Sequence, residues 1–299
     1  MKLVTYSPAA GGTPRPGLVL DGERIADIPA HALATPGVDF STMLGIIRGG
    51  AAARAALDAL AARPPAATLA MTEVKLHAPI PRPAKNVFCV GWNYLEHFEE
   101  GAKKLQDNRE LPQWPVFFSK APTAVNGPFD PIPFDASIST SLDWEVELGV
   151  VIGPGGKDIK AEDAMNHVWG YTVINDVSWR DLQRRHGGQW HKGKSLDGTC
   201  PMGPVLVTAD SLDHANLRVT CRVNGVTKQD SNTKFLYFKL PRLVQDLSMG
   251  MTLEAGDILS TGTPEGVGFA RNPPEFLKPG DLLETQIEGI GTMRNPIGG

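Results

Sequence analysis

Two glutamates, Glu145 and Glu147, stand two positions apart in DWEVELGVVIG (143–153), and an aspartate, Asp176, follows in GYTVINDVSWRDLQ. The first stretch reads as a strand. Side chains alternate faces along a strand, so both glutamates point the same way, roughly 6.5–7 Å apart along its axis. Two ionised carboxylates held that close and away from water repel, so either one takes up a proton or a cation lies between them. The bland alternative is an edge strand with its acids in solvent. Asp176 changes the reading, because it ends an apolar strand just before a polar helix, where a rigid backbone meets an open loop. Taken alone, Asp176 would be a helix N-cap. Two Glu and one Asp, with no His or Cys alongside, are hard oxygen ligands. They suit Mg²⁺ or Mn²⁺ and admit Ca²⁺, rather than zinc. Three carboxylates exceed the charge of one divalent ion, so a neighbouring cation is expected. Lys194 in KGKSLDG and Arg180, one helical turn after Asp176, are the candidates.

The elements that must hold these residues are mostly strands. NVFCV, ELGVVIG, GYTVIND, GPVLVT, LRVTCRVNG, GDILSTG and DLLETQIEG are each bounded by Gly, Pro or Asp. Helices are expected from Tyr94 to about Lys104, Ala161 to about Val168, Trp179 to about His186 and Lys239 to about Ser248. Strands and helices do not alternate strictly, which favours a β-rich α+β fold over a doubly wound sheet. Residues 1–77 differ in character: two short strands, then an Ala-rich helical stretch closed by Pro64 and Pro65. The prolines at 79, 81 and 83 suggest a junction near 78, giving a small N-terminal α/β domain (1–77) and a larger domain (78–299).

Composition narrows the partners. The 299 residues carry a net charge of −4 with no long basic run, which argues against a nucleic-acid or membrane-surface role. No apolar stretch approaches the ~20 residues that span a bilayer, and MKLVTYSPAAGG lacks a signal-peptide core. The three cysteines, Cys89, Cys200 and Cys221, lie far apart and show no CxxC spacing, which suggests a reduced, cytoplasmic protein.

Two further stretches carry chemistry. In GWNYLEHFEEG, Asn93 is placed to cap a helix on which His97 and Glu100 stand at i and i+3. A carboxylate beside an imidazole fixes its tautomer and raises its basicity, as a water-activating base requires. By pattern alone the pair reads first as a surface ion pair. GQWHKGKS (188–195) satisfies the P-loop pattern literally, but a charged helix precedes it and Gly and Pro follow, so nucleotide binding is rejected. TGTPEGVG is a loop of small residues that permits close approach of backbone to a ligand.

VFCVGWNYLEHFEE, DWEVELGVVIG, GYTVINDVSWRDLQ, GKSLDGTCPMGPVLVT and TGTPEGVG, in this order from about residue 85, resemble the fumarylacetoacetate hydrolase family. The resemblance implies a mixed β-sandwich roll, a homodimer, and a divalent metal held by Glu145, Glu147 and Asp176. It implies that His97 and Glu100 ride on a lid helix, with the polar stretch GAKKLQDNRELPQWP after it ordering on ligand binding. Lys194 would steady a developing enolate, Thr263 would hold a substrate oxygen, and Arg180 and Gln183 would contact substrate. Members acting on acylpyruvates or oxaloacetate carry an Arg where this chain has Trp92. That departure argues against small dianions and for a larger or more apolar substrate. Glu265 has no assigned role. The expected activity is metal-dependent hydrolysis of a C–C bond in a β-diketo or 2-oxo acid through an enolate. Decarboxylation, isomerisation or hydration of an unsaturated 2-oxo acid from aromatic catabolism is the alternative on the same site. A non-catalytic metal-binding protein is the second alternative.

Overall fold

The computed structural model describes residues 1–21, 23–31, 35–106 and 110–298. One long mixed sheet organises them. Its order is Leu69–Ala70, Arg24–Asp27, Arg15–Leu20, Lys2–Pro8, Cys200–Thr208, Val168–Asn175, Val146–Ile152, Ile258–Ser260, Val87–Gly91 and Val116–Lys120. A second, antiparallel sheet runs Val226–Asn232, Arg218–Val223, Leu282–Ile287, Gly291–Pro296. This is the strand-rich α+β architecture expected.

The glutamate-bearing strand is central, not an edge. Val146–Ile152 pairs antiparallel with Val168–Asn175 along its length and with Ile258–Ser260 on its other side. Val146, Leu148, Val150 and Ile152 face a core shared with Val219, Leu283, Ile287 and Met293 of the second sheet. Val151 faces the opposite core, with Ile174, Cys89, Cys200 and Ile258. Burial on both faces explains the near-continuous apolar run. It also means that Glu147, on the face of Val151, is inside the protein.

The N-terminal residues are continuous with this scaffold. Lys2 and Leu3 pair with Val207 and Leu206, so the first strands extend the main sheet. Helices Met43–Arg48 and Gly50–Ala62 bury Ile46, Ile47, Leu57 and Leu60 in the core that also holds Val87, Val151 and Ile174.

Three helices fall close to expectation, at Leu95–Leu105, Arg180–Arg185 and Leu240–Ser248. The fourth is one turn of 3₁₀ helix, Ala164–His167. Asn93 is not the cap of the Leu95 helix. Its amide is buried, donating to the carbonyls of Phe238 (3.1 Å) and Thr261 (2.8 Å) and accepting from the Phe238 N–H (2.7 Å). It ties the root of that helix to two distant segments, and such a buried amide is worth more as a cross-link than as a cap. Asp176 likewise caps nothing; Trp179 precedes the Arg180 helix. Of the polar stretch expected to order with ligand, residues 107–109 lie outside the described residues, and 101–105 complete the helix.

Candidate active site

Glu145 and Asp176 face each other where two strands end. The Asp176 N–H donates to the Glu145 carbonyl at 2.9 Å, and the Glu145 N–H donates to Asn175 Oδ1 at 3.0 Å. Glu147 follows two residues on, and the ligand oxygens of Glu145, Glu147 and Asp176 lie within 4.8 Å of one another. All three residues are buried. The three acids singled out in the sequence are thus brought together in space.

Three buried cations share this site. Lys194 Nζ bridges Glu145 Oε2 (2.7 Å) and Asp176 Oδ2 (2.6 Å). Lys120 Nζ lies 2.8 Å from Asp176 Oδ1. The Arg180 guanidinium reaches Glu145 Oε1 and Asp143 Oδ2, both at 2.7 Å. Glu147 has no such partner among the described residues. Its Oε2 accepts the Ser260 hydroxyl (2.6 Å) and the Gly262 N–H (2.9 Å). Gly262 makes that approach at φ +99°, and a Cβ there would meet Asn93 Cβ at 2.7 Å. Glycine is required for both reasons.

The electrostatics follow from this pairing. Burial pushes the Glu145 carboxyl up, but Lys194 and Arg180 overcome it and hold the group down at about 2. Burial pushes Glu147 well above the usual carboxylate range, and the charges of Asp176 and Glu145 push it further. Burial lowers Lys194, yet Asp176 and Glu145 outweigh that, so it stays an ammonium. Among the described residues four buried acids (Asp143, Glu145, Glu147, Asp176) face three buried cations (Lys120, Arg180, Lys194), and the acid without an ion pair is Glu147. A divalent ion among Glu145, Glu147 and Asp176 would remove that excess. Three hard oxygen donors with cavity space beside them suit an ion that keeps positions for other ligands. The residues fit the group.

The imidazole lines the same cavity. His97 Nδ1 is 2.9 Å from Glu100 Oε1, and because the carboxylate can only accept, the ring donates from Nδ1. That leaves the Nε2 lone pair as the basic position. Glu100 is anchored in turn, its Oε2 accepting the Gly266 N–H at 2.9 Å. The glycine-rich loop therefore orients the imidazole through Glu100.

Between these groups is a cavity of about 290 Å³ lined by His97, Glu145, Glu147, Arg180, Gln183, Lys194 and Thr263. The expected site residues thus converge on one space, with Asp176 and Glu100 supporting from behind. Gln183 accepts from Arg180 at 3.2 Å. Thr263 gives its hydroxyl proton to the Val146 carbonyl at 2.9 Å and accepts from Gln229, so it offers a lone pair more readily than a donor. Trp92, Trp190 and Phe118 form an aromatic wall, with ring centroids 4.9 and 5.1 Å apart in successive edge-to-face contacts. Trp92 thus lines the cavity as part of a packed aromatic wall. The volume is at the low end for small-molecule sites.

Some of this was missed in the sequence. Asp143 accepts three backbone N–H groups (Trp144, Gly268, Phe269) and the Arg180 Nε, fixing that guanidinium. Its signal was present, since Asp143, Glu145 and Glu147 alternate along one stretch. Arg184 also lines the cavity, one turn beyond Arg180 on the same helix, and the i, i+4 spacing could have found it. Lys120 gave no signal, being a lone lysine after an apolar run. Glu265, unassigned before, lies near the His97–Glu100 pair. Its Oε2 is buried without a hydrogen bond among the described residues. Burial, then the charges of Glu96 and Glu100, raise its carboxyl.

With this geometry established, comparison with known proteins is specific. The family profile for the fumarylacetoacetate (FAA) hydrolase C-terminal region matches residues 86–298. The chain is 48% identical over 229 residues to the oxaloacetate tautomerase YisK of Bacillus subtilis (strain 168), covering 76% of this chain and 74% of that protein. The structure of a fumarylacetoacetate hydrolase from Exiguobacterium antarcticum superposes with a TM-score of 0.83 at 39% identity, covering 100% of this chain and 99% of the other. The maleylpyruvate hydrolase of Sphingobium sp. SYK-6, solved with manganese(II) and pyruvate, superposes with a TM-score of 0.79 at 30% identity, covering 100% and 99%. The acidic triad, the strand-rich fold and these matches agree: the chain belongs to the fumarylacetoacetate hydrolase family.

Proposed function

We propose that this protein is a divalent-metal-dependent enzyme that interconverts the keto and enol forms of a small 2-oxo acid, oxaloacetate being the first candidate. The observation that carries the reading is that His97, held by Glu100, lines the same cavity of about 290 Å³ as Glu145, Glu147 and Lys194. A base and a cationic centre lining one small space are what proton transfer beside a carbonyl needs. The relative named oxaloacetate tautomerase supports the substrate class.

The chain's own residues divide the work. Glu100 holds His97 in the Nδ1–H tautomer, so Nε2 removes a proton from the carbon next to the keto group. Negative charge then moves onto the keto oxygen, on the side of the Lys194 ammonium. Returning the proton to that oxygen gives the enol; the reverse sequence gives the keto acid. Mg²⁺ or Mn²⁺, held by Glu145, Glu147 and Asp176, would supply Lewis-acid stabilisation of the same charge. Arg180 and Gln183, fixed through Asp143, and the Thr263 oxygen complete the polar wall. The aromatic wall keeps the proton path from bulk water.

Hydrolysis of a C–C bond, the activity first expected, is the second reading. It is favoured by the similarity to maleylpyruvate hydrolase, and the same imidazole would then activate water. Enol-oxaloacetate, whose ultraviolet absorbance falls on conversion to the keto form, distinguishes the two readings when assayed beside an acylpyruvate. The proposal expects metal-dependent acceleration of the decay, lost in His97→Ala, with no acid released from the acylpyruvate. Cleavage of the acylpyruvate without effect on the enol would overturn it.

A further inference from the structure

The helix Leu95–Leu105 turns one face to the cavity, and His97, Gly101 and Leu105, each four residues from the next, all line it. Gly101 is the unexpected member. It sits in the helix interior, where glycine is the least favourable residue after proline. The usual reasons for a glycine do not apply. Its φ lies outside the left-handed region. A Cβ there would meet, beyond its own helix backbone, only Phe269 Cζ at 4.0 Å among the described residues, which is an ordinary contact. Yet Gly101 is buried. A buried position with room in front of it for a side chain marks a niche in the cavity wall.

The niche is held open by its surroundings. On either side of Gly101 the helix is tied to the loop that carries Phe269. Glu100 Oε2 accepts the Gly266 N–H at 2.9 Å, and Lys104 Nζ donates to the Arg271 carbonyl at 2.9 Å. Phe269 is fixed in turn. Its N–H donates to Asp143 Oδ2 at 3.0 Å, and the Arg180 guanidinium covers its ring at 4.6 Å from the centroid. These ties set the distance between helix and loop, so the gap is preformed. Side chains on a helix lean toward its N-terminus, so the space that a side chain at 101 would fill lies toward the turn of His97. Leu105 leans back toward the same place from the next turn. Phe269 and Leu105 make this wall of the cavity carbon, which suits an alkyl group and penalises a charge.

We propose that Gly101 is the specificity-determining residue for a short alkyl group on the carbon that His97 deprotonates. The site then takes 2-oxo acids bearing a methyl or ethyl group on carbon 3 in preference to their unsubstituted parents. This rests on the reading of the cavity as a 2-oxo acid site with His97 as its base, and adds what the reacting carbon carries.

The test compares pyruvate, 2-oxobutanoate and 2-oxopentanoate, which share the 2-oxo acid end and differ by one carbon each beyond carbon 3. Binding is read in Mg²⁺ by isothermal titration calorimetry. Each buried carbon is worth about fourfold in affinity, so the wild-type chain is expected to bind 2-oxopentanoate about tenfold more tightly than pyruvate. Gly101→Ala should cut that ratio to about threefold or less, and Gly101→Leu, which fills the niche, should bring it below one. Gly101→Ala should also raise the Tm of the metal-free protein by about 2 °C, because alanine suits the helix and a Cβ has room. A ratio near one in the wild type, or one that neither variant moves, would overturn the proposal. An equal weakening of all three ligands in both variants would mean that Gly101 serves the helix's flexibility, and would overturn it too. So would a fall in the Tm of Gly101→Ala, since the room would then be absent. Turnover of enol-oxaloacetate is measured separately on the wild-type chain. A ratio that responds to residue 101 without turnover supports the niche and removes the tautomerase reading. Turnover with an unmoved ratio does the reverse.

Discussion

Glu147→Gln should stabilise the metal-free protein and abolish its response to metal. Glu147 is buried, has an oxygen within 4.8 Å of oxygens of Glu145 and Asp176, and has no cation paired to it among the described residues. One pair of full charges at that distance costs about 3.5 kcal/mol at an effective dielectric constant near 20. Protonation of Glu147 caps the cost, so the relief from a neutral isostere is about 1–3 kcal/mol. At about 2 °C per kcal/mol for a chain of this size, the metal-free Tm should rise by about 2–6 °C at pH 8. The pH dependence has a definite sign. The folded-state pKa of Glu147 lies above its value of 4.5 in the unfolded chain. Its favourable contribution is therefore full below about 4.5 and lost as pH rises through the folded value. The gap between variant and wild type should widen from pH 5 to pH 8. Metal reverses the order. At a concentration of about 100 Kd it adds about 2.7 kcal/mol to the wild type, or about 5 °C, and nothing to the variant. Differential scanning fluorimetry with Mg²⁺, Mn²⁺ and a chelator reads all of this. A variant that is less stable than wild type at pH 8 without metal, or that keeps the full metal shift, would refute the reasoning.

Other consequences are independent. Metal binding near neutral pH should release protons, since Glu147 gives up its own; titration calorimetry in two buffers of different ionisation enthalpy should show the difference. Glu100→Gln should lower kcat by about 10–100-fold with little change in KM, because the hydrogen bond that orients His97 survives only in weakened form. Cys89, Cys200 and Cys221 are buried, and burial pushes Cys200 up to about 12, so a disulfide exchange reagent should label no thiol in the native protein and three after denaturation.

The cluster of three acids was legible in the sequence because alternation along a strand is a short-range rule, and Asp176 announced itself at a strand end. The imidazole pair was legible for the analogous helical reason. What could not be read is long-range. The edge-strand alternative for Glu145 and Glu147 fell only when Ile258–Ser260 appeared on the far side of their strand. Asn93 looked like a cap because its partners, Phe238 and Thr261, are some 145 to 168 positions away. Lys120 neutralises Asp176 across 56 positions with no motif to mark it. The part Trp92 plays could not be read for a different reason. A side chain's type suggests what it can recognise, whereas its contacts with Trp190 and Phe98 decide whether it lines or fills a cavity.

The most direct measurement is exchange of the hydrogens on carbon 3 of oxaloacetate in deuterated solvent, followed by proton NMR. Proton transfer by His97 beside a cation-stabilised carbonyl predicts rapid exchange with wild-type protein and Mg²⁺ or Mn²⁺, and only the background rate with a chelator or with His97→Ala. Exchange that persists unaltered in His97→Ala, or that never exceeds the metal-only background, would contradict it.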